Sequence, residues 1–92
     1  MKIKLKQKFY DIFTKNELNT IFHLSFLIGD DCIVINTKQY FFELSINKAD
    51  KLIIYYSSND NLSDDGILTK EKFLELLQTS LKEKIKYLQI DI

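Results

Sequence analysis

The sequence predicts a single α+β domain over residues 1-92: an antiparallel four- to five-stranded β-meander with a C-terminal α-helix packed on one face and a short N-terminal helix. Large apolar residues recur at every second position, at Phe22, Leu24, Phe26 and Ile28, at Ile33 and Ile35, and at Tyr40, Phe42, Leu44 and Ile46, with short polar turns between these runs. That period of two is the pattern of strands buried on one face. Phe73, Leu77, Leu81 and Ile85 recur at four-residue spacing and form one helical stripe. Thr14-Lys15-Asn16-Glu17 matches a capping box, in which the hydroxyl and carboxylate satisfy exposed amides at a helix start.

At the N-terminus, Lys2-Ile3-Lys4-Leu5-Lys6-Gln7-Lys8 alternates like a strand whose lysines shield a sheet edge. A helix starting in this stretch is the competing assignment. The capping-box helix is expected to be short, because alternation returns by Ile21. From there Phe22, Leu24, Phe26 and Ile28 share one face, with Ile21, His23, Ser25 and Leu27 on the other.

Gly29-Asp30 suits a two-residue type II′ hairpin loop with positive φ at Gly29, which sets Phe26 opposite Ile33 and Leu24 opposite Ile35. Thr37-Lys38 suits a second such loop, pairing Ile35 with Tyr40, Ile33 with Phe42 and Val34 with Phe41. Tyr40, Phe42, Leu44 and Ile46 then extend the core face. The next strand, Leu52 to Tyr56, is apolar on both faces, so the turn Asn47-Lys48-Ala49-Asp50 decides its orientation. A four-residue turn buries Ile53 and Tyr55, whereas a three-residue turn buries Leu52, Ile54 and Tyr56. Thr69 is the expected N-cap of a helix reaching about Tyr87, followed by an extended tail at Ile90 and Ile92.

Composition narrows function chiefly by subtraction. A chain of 92 residues, 46% hydrophobic and 13% aromatic, can bury one core without disulfides. It holds one His, one Cys, no Pro and no Trp, and all 13 basic residues are lysine. Lysine-only usage with abundant Ile, Asn, Phe and Tyr is the mark of AT-rich coding DNA, as in low-GC bacteria, their phages and plasmids. The formal net charge is zero, so no overall field draws the chain to nucleic acid or anionic membrane. Charge is nonetheless segregated: Lys2, Lys4, Lys6 and Lys8 lack nearby acids, and Asp60, Asp64 and Asp65 lack nearby bases. A lone cysteine, no signal-peptide core and no run of about 18 apolar residues point to a cytoplasmic, non-membrane protein.

The segment Asn61-Leu62-Ser63-Asp64-Asp65-Gly66-Ile67-Leu68 resembles an EF-hand calcium loop, with Asn61, Ser63 and Asp65 at the first ligand positions and Gly66 at the tight turn. The resemblance stops at Lys72, which stands where the loop takes a bidentate Glu. A polar loop leading into a helix cap is the expected structure, with no metal. His23 and Cys32 fall on neighbouring strands out of hydrogen-bond reach in the proposed register, so no nucleophile and base pair forms. Asp30 and Asp31 are ordinary hairpin-tip residues. No glycine-rich phosphate loop or zinc-ligand spacing occurs, and no catalytic residue or cofactor is expected.

The second sheet face is the richest constellation. Leu27, Val34, Phe41, Ile54 and Tyr56 are the candidate partner-binding residues of an apolar patch with an aromatic centre, rimmed by His23, Cys32, Glu43 and Ser45. The alternative is that the first 20 residues, bearing Phe9, Ile12 and Phe13, close over this face as a second core. The expected function is a small non-catalytic protein-binding module. Its kind is an inhibitor or immunity-type, anti-defence protein of a phage or other mobile element that masks a larger partner protein. Homodimerisation through the same face is a further expectation. Nucleic-acid binding by the N-terminal lysines and sheet aromatics is the alternative function, weakened by the absence of Arg.

Overall fold

A computed structural model describes residues 5–60 and 64–90 of the chain, with side chains described as far as Leu81. In order, the elements are α1 (Gln7–Ile12), α2 (Lys15–Leu24), β1 (Ser25–Ile28), β2 (Cys32–Asn36), β3 (Tyr40–Ile46), β4 (Leu52–Ser58), β5 (Asp65–Leu68) and α3 (Lys70–Ile90). The five strands form one antiparallel sheet in sequence order, so the α+β meander with its C-terminal helix is present.

The N-terminal region differs most from the sequence expectation. Gln7 and Lys8 belong to a helix rather than to a lysine-edged strand, and Lys2 and Lys4 lie outside the described residues. The fifth strand is β5, supplied by the segment expected to be a polar loop. The capping box forms in full: Glu17 N–H donates to Thr14 Oγ1 at 3.1 Å and Thr14 N–H to Glu17 Oε1 at 2.7 Å. It opens a helix of ten residues rather than a short one. Leu18 and Ile21 explain the length, since their three-residue spacing puts both on the buried face of α2. Period-two alternation therefore begins four residues later than Ile21, where the Ser25 hydroxyl donates to the Ile21 carbonyl and the helix passes into β1.

Both hairpins are displaced from the expected register by the same amount. Ile28 pairs with Ile33 and Leu27 with Val34, while Gly29 N–H donates to the Cys32 carbonyl at 2.7 Å, so Asp30 and Asp31 occupy the turn. The neighbours of this turn account for the shift. Lys6 N–H donates to the Asp30 carbonyl and Ile46 N–H to the Asp31 carbonyl, tying the turn to the N-terminal segment and to β3. Gly29 does not adopt the positive φ expected of it. A bulge between Ser25 and Leu27 then sends Phe26, expected in the core, outward with 77% of its surface exposed.

In the next hairpin Ile35 pairs with Phe42 and Val34 with Glu43, not with Phe41. Here Thr37 N–H donates to the Tyr40 carbonyl, and the Asn59 side chain donates to the Thr37 carbonyl at 2.8 Å, fixing the turn from outside.

The β3–β4 turn resolves the orientation of β4. Asn47 N–H donates to the Lys51 carbonyl and Asp50 N–H to the Asn47 carbonyl, with Asp50 in the left-handed region at φ 60°. This is a three-residue loop, a tight turn followed by one left-handed residue. The Asn47 side chain accepts from Ala49 and Lys51 N–H, stabilising it. Leu52, Ile54 and Tyr56 accordingly face the core.

The core lies between the sheet and a single layer of helices. Phe9 of α1 and Phe13 just after it, Leu18 and Ile21 of α2, and Phe73 and Leu77 of α3 meet Ile33, Ile35, Phe42, Leu44, Ile46 and Ile54 from the sheet. Phe73 joins the layers, its ring 5.2 Å from Phe42 and 6.2 Å from Phe13, both edge-on. Thr69 caps α3 as expected, accepting from Lys72 N–H at 3.2 Å. The helix continues through Ile90 where an extended tail was expected, and Ile92 lies outside the described residues. No described helix is long and apolar enough to cross a membrane.

Candidate functional site

Pairing in register carries a single row of outward side chains across all five strands: Leu27, Val34, Glu43, Tyr55 and Ile67. The row follows from the pleat, because residues alternating with the core-facing Ile28, Ile33, Leu44, Ile54 and Leu68 must point to the opposite face. None of its apolar members belongs to the core cluster or packs against it. Leu27 is 49% and Ile67 64% exposed, so the row is open at both ends. Phe9, Ile12 and Phe13 do not close over this face; they pack in or against the one core on the other side.

Phe41, Ser57 and Asp65 form a parallel row beside it, with Cys32, Ser45 and Ile53 on the other flank. Of the five residues expected at the patch, Leu27, Val34 and Phe41 stand on this face. Ile54 and Tyr56 do not: Ile54 is buried in the core, and Tyr56 packs against the core with its ring 6.4 Å from Tyr40. Their places are taken by Ile53 and Tyr55, because the three-residue turn fixes β4 the other way up. Ile67 belongs to the face but escaped sequence analysis. Its strand opens with Asp65-Gly66, which reads as a turn, and only the apolar pair Ile67-Leu68 signals pairing.

Charge on this face is one-sided. Glu43 is half-buried at the centre of the row, and no ion pair reaches it among the described residues. Tyr55 Oη donates to Asp65 Oδ2 at 3.1 Å. That hydrogen bond raises the Tyr55 hydroxyl above its ordinary pKa, and burial and the charges of Asp65 and Glu43 act in the same direction. Burial likewise pushes the Cys32 thiol up, reinforced by the negative charges of Glu43 and Asp31. A raised thiol pKa lowers the thiolate fraction, the opposite of what a nucleophile needs.

His23 is exposed on α2, whereas Cys32 is half-buried in β2, so the two remain on separate elements. No group of three potential metal ligands occurs among the described residues. Asp65, the one described position of the calcium-like triad, sits in a β-strand; Asn61 and Ser63 lie outside the described residues.

Comparison with protein-family models, with curated proteins and with solved structures returned no match.

Proposed function

We propose that this chain is a small non-catalytic protein-binding module that masks a surface of a larger protein with the outer face of its sheet. The observation that carries the reading is the row from Leu27 to Ile67, in which Val34 and Tyr55 flank Glu43 from the two strands beside β3 with no described element over them. An exposed face on which apolar and aromatic side chains surround a single central carboxylate has the character of a protein-binding surface. Small size and AT-rich coding favour an inhibitor or immunity-type protein of a phage or other mobile element, acting against a defence protein or toxin of its host.

Nucleic-acid binding is the weaker reading. Bases would stack on a face that carries Glu43 and Asp65, whose charge repels phosphate. Lys8, one of the lysines expected to touch phosphate, already lies 3.8 Å from Asp50.

The test is affinity capture from a low-GC bacterial lysate by the full chain and by Val34→Asp, with retention on immobilised oligonucleotides measured in parallel. Recovery of one stoichiometric protein by the wild type alone is the expected result. Salt-sensitive oligonucleotide retention that survives Val34→Asp and disappears on replacing Lys6 and Lys8 by Ala would overturn it.

A further inference from the structure

Glu43 limits what can cover the outer face. It is the third of five residues in a row whose other members are Leu27, Val34, Tyr55 and Ile67, so any partner lying on the apolar surface must also bury a carboxylate. An ionised carboxylate taken out of water without a counter-charge costs several kcal/mol, enough to cancel much of the gain from burying the surrounding apolar surface. Its neighbours on the face do not relieve it. Asp65 is committed to Tyr55, and the charges felt by Cys32 and Tyr55 are those of Glu43, Asp31 and Asp65, all negative.

Two of the lysines make their contacts elsewhere. Lys70 Nζ is 3.7 Å from Glu17 and 5.5 Å from the centre of the Phe13 ring on the helix side, and Lys8 reaches the Asp50 turn. The same placement disfavours a second copy of the chain. A two-fold dimer stacked through this row would set Glu43 against its own mate across the roughly 10 Å between packed sheets, where like charges repel.

Building on the protein-binding reading above, we propose that the outer face docks a partner protein segment that presents a Lys or Arg side chain framed by apolar residues. The basic group seats on Glu43, and the frame packs on Val34 and Tyr55. Such a pair selects the partner by charge, while the apolar frame supplies the desolvated setting in which the pair counts most.

The experiment is selection of a displayed random-peptide library on the immobilised full chain, followed by affinity measurements on wild type, Glu43→Gln, Val34→Asp and the control Asp11→Asn on α1. The expected result is enrichment of peptides with a basic residue between apolar ones. Their affinity should fall about tenfold or more on Glu43→Gln and on Val34→Asp, but stay unchanged on Asp11→Asn. Selection on Glu43→Lys should enrich acidic residues at the same place. Peptides that lose affinity on Val34→Asp but not on Glu43→Gln would overturn the basic-partner proposal and leave the docking face standing. Peptides indifferent to both substitutions, or concentration-dependent dimerisation abolished by Val34→Asp, would overturn both readings.

Discussion

Glu43 and Tyr55 stand opposite each other across the β3–β4 ladder on the side of the sheet that no described helix covers. Cys32, diagonal to Glu43 on β2, reports the field around that pair. Because burial and then the charges of Glu43 and Asp31 raise its thiol pKa, alkylation by iodoacetamide at mildly alkaline pH should be slower than that of a free cysteine. Glu43→Gln removes one of the charges and should speed the reaction at unchanged stability. Equal rates in the two proteins would mean that Glu43 does not act on this face.

The two faces of the sheet should respond differently to truncation. Phe42→Ala leaves a void beneath Phe73, whose ring it contacts edge-on at 5.2 Å, and should cost about 3–5 kcal/mol. That loss is a large share of the roughly 5–15 kcal/mol by which a domain is stable. Val34→Ala, on the outer face, removes little buried contact and should cost about 1 kcal/mol or less. Urea unfolding of both variants measures the difference, and equal costs would indicate that the outer face is also packed.

The Thr14–Glu17 capping box ties helix stability to pH. The backbone hydrogen bond from Thr14 holds the Glu17 carboxyl below its ordinary pKa against the opposing effect of burial, with Lys70 assisting. A lower pKa in the folded state means that the unfolded chain binds more protons in the acid range. The contribution is therefore complete above the unfolded pKa and disappears as pH falls through the folded one. Thr14→Ala should cost about 1 kcal/mol at neutral pH. Glu17→Gln should flatten the acid limb of the stability profile, measured by thermal unfolding across pH; an unchanged limb would remove Glu17 from the account.

Much of this fold was legible because side-chain alternation survives errors in register. Next to the turns of both early hairpins the pairing lies two residues from the expected one, and a shift by two keeps a side chain on its face; only the bulge at Phe26, which adds a single residue, breaks the rule. Ile33, Ile35, Phe42 and Leu44 are buried as expected even though their partners differ. Orientation of β4 was illegible for a related reason. Leu52 to Tyr56 is apolar on both sides, so only the left-handed Asp50 in the preceding turn distinguishes Ile54 from Ile53. At the N-terminus two periods competed. Leu18 and Ile21 follow the helical spacing, Phe22 to Ile28 follows the strand spacing, and burial of Leu18 and Ile21 against the sheet favours the helix. Leu27, Val34 and Phe41 were therefore readable as surface residues, whereas Tyr55 and Ile67 required the turn geometry and the fifth strand.

The central claim is that the outer face, and not the helical layer, meets the partner. Methyl NMR of the full chain, alone and saturated with the captured partner protein, tests it most directly because outward and inward methyl groups lie on the same strands. The expected result is that Leu27, Val34, Ile53 and Ile67 shift on binding while Ile33, Leu44, Ile54 and Leu77 keep their positions. Shifts confined to Ile12, Leu74 and Leu76 on the helical side, with Val34 and Ile53 unmoved, would contradict it.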